Sequence, residues 1–103
     1  AAIASGYAHV CALLTTGGVK CWGNNYDGAV GNDWASDEQG AKRVPDQVVG
    51  LDSGVVAITA GYSHSCAALS AGGVKCWGYN VSGQLGDGTA YWMSAVPVSV
   101  LGL

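Results

Sequence analysis

The chain says nearly the same thing twice. His9–Gly23 reads HVCALLTTGGVKCWG, and His64–Gly78 reads HSCAALSAGGVKCWG. A shift of 55 lays residues 1–31 on 56–86 with 18 identities in 31 positions, among them Ile3/Ile58, Gly6/Gly61, Tyr7/Tyr62 and His9/His64. Further along the shift is 52, so that Pro45 falls on Pro97 and Gly50-Leu51 on Gly102-Leu103. The first repeat therefore carries three extra residues within NDWASDEQGAKR. A period near 50 residues points to a propeller, a solenoid or an array, in which one unit cannot bury its own faces and stacks on the next. The units are residues 1–51 and 56–103, joined by Asp52-Ser53-Gly54-Val55. Nothing like that linker precedes Ala1 or follows Leu103. On that ground the chain reads as a piece of a longer array, or as a unit that meets its neighbour end to end.

Each repeat reads as four strands. In the second, VVAITAG (Val55–Gly61) is short and β-branched, HSCAAL and VKCWG flank the turn SAG, and VPVSVLG (Val96–Gly102) follows. Proline in the last segment suits an edge strand, because it cannot donate to a ladder. The fold class is all-β, with a four-stranded antiparallel meander per repeat.

The turn sets the register. A three-residue hairpin loop usually ends in a left-handed glycine. With Ser70-Ala71-Gly72 as that loop, Leu69 faces Gly73, Ala68 faces Val74, and Cys66 lands opposite Cys76. The same count from Thr15-Thr16-Gly17 puts Cys11 opposite Cys21. Directly opposed Cβ atoms lie roughly 4.5–5.5 Å apart, close to what a disulfide requires. Two such staples imply an oxidising, extracellular or cell-surface location. The competing readings are four buried thiols, or a zinc site built on His9-x-Cys11 and His64-x-Cys66. Zinc prefers CxxC knuckles and four converging ligands, whereas each repeat offers one histidine and two cysteines.

Composition narrows the partners. Half the residues are hydrophobic and only 11% are charged, against about 25% in ordinary soluble domains. A surface so poor in charge implies that some apolar area is covered by another copy or by further sequence. Net charge is −3, and Lys20, Lys42, Arg43 and Lys75 are the only basic residues. Phosphate recognition needs clustered Lys and Arg, so nucleic acid is not expected as a partner. No run reaches the roughly 18 apolar residues of a membrane span, no polybasic face for a lipid surface is present, and the sequence shows no signal peptide.

The stretch GYSHSCAALSAGGVKCWGYNVSGQLGDGT closely resembles the regulator-of-chromosome-condensation repeat: Gly-x-x-His, a small apolar hairpin, Trp-Gly-x-Asn, Gly-Gln-Leu-Gly, then proline and a Val-x-Gly-Leu ending. The first repeat departs at Ala29-Val30-Gly31-Asn32. The cysteine-bearing version resembles secreted bacterial members. The resemblance implies a β-propeller of radially packed blades, usually about seven. Seven is not a multiple of two, so copies of this chain alone would need another blade number or a non-closing array, and a head-to-tail contact that does not close makes a filament. Nucleotide exchange on a small GTPase and chromatin binding, known in eukaryotic members, reside in loops and basic surfaces with no match here.

Several residues invite a functional reading beside a structural one. His9 and His64 are candidate bases or ligands, but recurrence at one place in each repeat favours structural histidines. Trp22 and Trp77 read as blade-packing residues, and Gly6 and Gly61 as points of close strand approach. Loops on a rigid scaffold carry recognition. The first loop holds Trp34 and the oxygen donors Asn32, Asp33, Asp37 and Glu38, a weak calcium candidate without EF-hand spacing. The second holds Tyr91, Trp92 and Met93, either a partner-contact patch or packing against a neighbouring blade. Asn80-Val81-Ser82 is a glycosylation sequon, with Asn80 read as a turn residue. No nucleophile–base pair, phosphate-cradling loop or paired catalytic carboxylates appear, and no cofactor is expected. The leading expectation is a non-enzymatic extracellular module assembled blade to blade, as a propeller or a filament. The alternative is part of a complete secreted propeller that captures a protein through Asp33–Arg43 and Tyr91–Met93. An enzyme comes third. The compartment argument has a direct check: two bridges remove four hydrogens, so the intact unreduced chain should weigh about 4 Da less than the reduced chain, and equal masses would refute it.

Overall fold

The computed structural model describes residues 2–24, 28–31, 41–88 and 91–102, with the backbone alone for 41–44. The first repeat forms β1 (Ala2–Ser5), β2 (His9–Leu13), β3 (Val19–Asn24) and β4 (Ala41–Gln47). The second forms β5 (Val55–Ala60), β6 (His64–Leu69), β7 (Val74–Tyr79) and β8 (Met93–Ser99). Each set makes an antiparallel four-stranded sheet in chain order. β8 starts three residues before the sequence-based segment at Val96 and stops at Ser99. Pairing explains the difference: Met93 and Ser94 bond across to Tyr79 and Gly78, a contact local periodicity does not reveal.

Both outer strands carry their proline at an irregularity. Pairing shifts between Cys21 and Gly23 opposite β4, and between Cys76 and Gly78 opposite β8. Pro45 and Pro97 lie in the stretches that bulge, where no ladder donor is needed.

The β2–β3 hairpin has the expected turn. Leu14 donates to Gly18 at 2.8 Å and Gly17 donates to Leu14 at 2.9 Å. Gly17 has φ 87° and Gly72 has φ 98°, the left-handed conformation that L side chains rarely adopt. The connection between repeats then crosses this turn. Val55 donates to Gly17 and Val19 donates to Leu51. A Cβ on Gly18 would lie 2.9 Å from the Asp52 carbonyl oxygen, so the second glycine of the pair is required by the linker.

The core lies between the two sheets. It gathers Cys11, Val19, Cys21, Val30, Val48 and Leu51 with Val55, Ala67 and Trp77, and Leu13, Ile58 and Leu69 pack on its margin. Hydrogen-bond alternation makes Leu14/Gly18 and Ala12/Lys20 bonded pairs and leaves Cys11/Cys21 a non-bonded pair, the closer kind. Cys11 pairs with Cys21 and Cys66 with Cys76, and each pair is disulfide-bonded with its Cα atoms 4.0 Å apart. The first bridge lies in the core; the second is on the face of its sheet turned away from the first sheet.

Loop-closure entropy alone assigns each bridge about 3 kcal/mol. Double replacement Cys11→Ala/Cys21→Ala should cost clearly more than Cys66→Ala/Cys76→Ala, because only the first also opens a cavity in the core. Urea midpoints of the two variants measure the difference; equal losses would mean the first bridge does not pack against the second sheet.

Candidate interaction site at the blade junction

Side chains two apart along a strand share a face. His9, Cys11 and Leu13 therefore point with Val19 and Cys21 toward the second sheet. Ile58, Ser65, Ala67, Leu69 and Trp77 answer from the other side.

The apolar contact encloses a small polar cluster. Trp77 is fully buried at 0% exposure, and its indole Nε1–H donates to the Ala29 carbonyl at 2.9 Å. The Ser65 hydroxyl lies 2.8 Å from His9 Nε2 and 3.4 Å from the same Ala29 carbonyl. The ring's tautomer sets the direction of its bond to Ser65 Oγ; when Nε2 carries the proton, the hydroxyl can in turn donate to the Ala29 carbonyl. A carbonyl oxygen has two lone pairs and accepts both donors. Cys11 Sγ stands 3.6 Å from the hydroxyl. Every member is buried, so each bond spares the penalty of an unpaired polar group. Among the described residues no buried side-chain nitrogen or oxygen lacks a partner.

Ala29 sits in a tight turn, where Gly31 donates to Gly28 at 3.0 Å. Gly31 has φ +74°, and a Cβ there would lie 2.7 Å from the Trp77 Nε1 atom. Turn geometry and the space required by the indole call for glycine at the same residue. At the turns before β2 and β6, Cβ atoms on Gly6 and Gly61 would run into the rings of His9 and His64 respectively, and that on Gly6 also into the Gly61 carbonyl. These glycines make room for a histidine ring as well as for close backbone approach.

Burial holds His9 below its ordinary 6.5, the neighbouring His64 pushes the same way, and a backbone hydrogen bond at His64 opposes both. Burial also lowers His64. A neutral ring fits the relay; a catalytic base would need a substrate-sized cavity beside it. A depression of about 20 Å³ beside His9 lies under Tyr7 and Tyr62. Those two rings stack across the junction with centroids 4.5 Å apart, and Tyr7 donates its amide to the Tyr62 carbonyl at 2.9 Å.

The remaining expected residues disperse. Trp22 is only half-buried and lies on the face opposite the junction. Tyr91 and Trp92 are 74% and 50% exposed. Met93 leaves that patch: it is half-buried in β8, and its methyl lies beside Gly28 in the turn of the first repeat. The two alternatives for the trio divide between its members: Met93 packs beside the first repeat because strand pairing starts there, while Tyr91 and Trp92 stay exposed. Asn80 is buried and organises its turn, donating from Nδ2 to Tyr91 and accepting from Leu85 N–H. Trp34, Asn32, Asp33, Asp37 and Glu38 lie outside the described residues. Ala29 and Ser65 were missed as site residues. Ala29 acts through its backbone, which no side-chain motif encodes, and Val10/Ser65 is one of several differences between the repeats, with nothing in the sequence to single it out.

A model of the regulator of chromosome condensation (RCC1) repeat matches residues 1–29 and 55–84, more than half of the chain. The chain belongs to the RCC1 repeat family. A second model of the same repeat matches residues 16–68. Probable E3 ubiquitin-protein ligase HERC4 of Rattus norvegicus is 40% identical over 84 residues, 82% of this chain and 8% of the ligase. The ultraviolet-B receptor UVR8 of Arabidopsis thaliana is 34% identical over 88 residues, 84% of this chain and 19% of the receptor. The chain thus spans less than a fifth of either relative. Prp20p of Saccharomyces cerevisiae superposes with a TM-score of 0.83 at 24% identity, over 97% of this chain and 25% of that one, a likeness of fold. The two sheets are therefore RCC1-type propeller blades, and the cluster around Ala29 is a blade–blade junction.

The junction should weaken in acid. Both histidines sit below their unfolded value of 6.5, so between that value and the folded one the unfolded chain binds more protons. Stability is full above pH 6.5 and falls as pH drops below it. Urea midpoints between pH 7.5 and 5 should decline, and His9→Gln should flatten part of the decline; an unchanged slope would remove His9 from the junction's pH response.

Proposed function

We propose that this chain is a non-catalytic extracellular module, structural or adhesive, whose two outward blade faces are completed by further blades of the same kind. RCC1 propellers are generally interaction domains without catalytic activity. The observation that carries the reading is the outward face of the second blade. It bears Ala57, Thr59, Cys66, Ala68 and Val74 around an apolar depression of about 210 Å³. In the first blade the matching positions are Ala2, Ala4, Cys11, Leu13 and Val19, and there the second blade covers Cys11 and Val19. The hairpin turns tell the same story. Gly17 is crossed by the linker, with Gly54 N 2.9 Å from its Cβ position, while nothing stands within 4 Å of that position at Gly72. Contiguous apolar sheet surface of this kind marks an association site, and the paired cysteines fit an oxidising compartment.

A second reading rests on Tyr91 and Trp92, which stand exposed at the mouth of a loop. Exposed aromatics are enriched where proteins recognise proteins. Prp20p is described by its binding to Gsp1p and histones, which makes protein capture by a complete propeller the natural alternative.

Electron microscopy of the native particle, with a mass determination, tests the main reading. Closed discs or blade-wide fibres are expected. Isolated two-blade particles at high concentration would overturn it.

A further inference from the structure

We infer that the blade docking on the open face of the second blade is the first blade of another copy of this chain, seated head to tail. This rests on the reading that further blades complete the open faces.

The internal junction supplies the template. There Ile58, Ala67, Leu69 and Trp77 of the second blade enter the face formed by Cys11, Val19 and Cys21. One repeat earlier, the same positions hold Ile3, Ala12, Leu14 and Trp22, identical in type at all four. They lie on the face of the first blade turned away from the junction. Ile3 is 68% exposed, whereas its twin Ile58 is half-buried. The receiving face is repeated as well. Cys66, Val74 and Cys76 stand where Cys11, Val19 and Cys21 stand, with Leu85 for Val30 and Val100 for Val48.

The polar acceptor also recurs. Gly86 donates to Gly83 at 3.1 Å as Gly31 donates to Gly28 at 3.0 Å, so the backbone carbonyl of Gln84 occupies the place of Ala29. The Trp22 indole N–H of an incoming copy meets that carbonyl. Because the acceptor is backbone, the Ala-to-Gln difference leaves the bond in place. One face thus carries the projections and the other the recess, which makes the contact heterologous: it joins unlike faces and adds a copy at each end.

Of the positions that differ between the two joints, two weaken the new one. Ala68 replaces Leu13 at the floor of the recess, and Ala68 lines the depression. Val10 replaces Ser65 in the incoming blade. At the internal junction that serine links the His9 ring to the acceptor carbonyl. At the joint between copies His64 meets a valine, so the relay is missing and the joint is weaker than the internal one.

Sedimentation velocity on the oxidised chain, from about 1 µM to about 1 mM, tests this. Wild type should associate with concentration. Ile3→Asp and Ala57→Asp each place a carboxylate on one of the two faces, at exposed positions that spare the fold. Each should sediment as a single chain, and their mixture should give one-to-one dimers and nothing larger. Val10→Ser should tighten association about tenfold. Either aspartate variant dimerising alone, or assembly unchanged in both, would overturn the head-to-tail joint while leaving blade completion standing. Wild type and Val10→Ser both remaining single chains would also overturn the joint. The reading beneath it falls only if the native particle is a bare pair of blades too.

Discussion

A sheet that is apolar on both faces is stable only between two other layers. Water must be excluded from each face, and one hydrophobic junction covers only one of them. Nearly everything distinctive about this chain follows from that requirement. Its low charge reflects strands with little surface to solvate. Several of its glycines, Gly6, Gly18, Gly31 and Gly61 among them, lie where backbone, ring or linker presses too closely for a Cβ. Its disulfides act within a blade, pairing neighbouring strands, so that each blade presents a firm surface to the next. One bridge is consequently part of the junction, and its twin lines the open recess.

Area alone makes a sliding interface. The cluster at Ala29 fixes the angle and register of this one, because two donors from the second blade, the Trp77 indole and the Ser65 hydroxyl, converge on one carbonyl of the first. Displacing the blades would leave these buried groups unpaired, a penalty larger than the small change in buried area. The histidine relay adds sensitivity to protonation at the same place. Junctions built this way carry both adhesion and alignment.

Much of the fold was readable from residue types and spacing. The internal shift defined two similar units, and the Gly17 and Gly72 turns set a hairpin register that pairs the cysteines as the structure does. The start of β8 was not readable. Local composition places a strand at the β-branched run after Val96, whereas pairing with Tyr79 and Gly78 draws in Met93 and Ser94. Local composition likewise could not separate Met93, which packs beside Gly28, from the exposed Tyr91 and Trp92. Trp22 and Trp77 were indistinguishable on paper, having the same neighbours and the same turn.

The sequence by itself determined the repeat, the strand count, the cross-strand cysteine pairs and the family likeness, because each depends on spacing along the chain or within one hairpin. Only the tertiary structure decided which face of each sheet is covered, that Trp77 is buried while Trp22 is half-open, and that Ala29 and Ser65 hold the junction together. Those facts concern contacts between units. A repeat carries the same letters whether or not a neighbour sits on it, and a backbone carbonyl carries no letter at all.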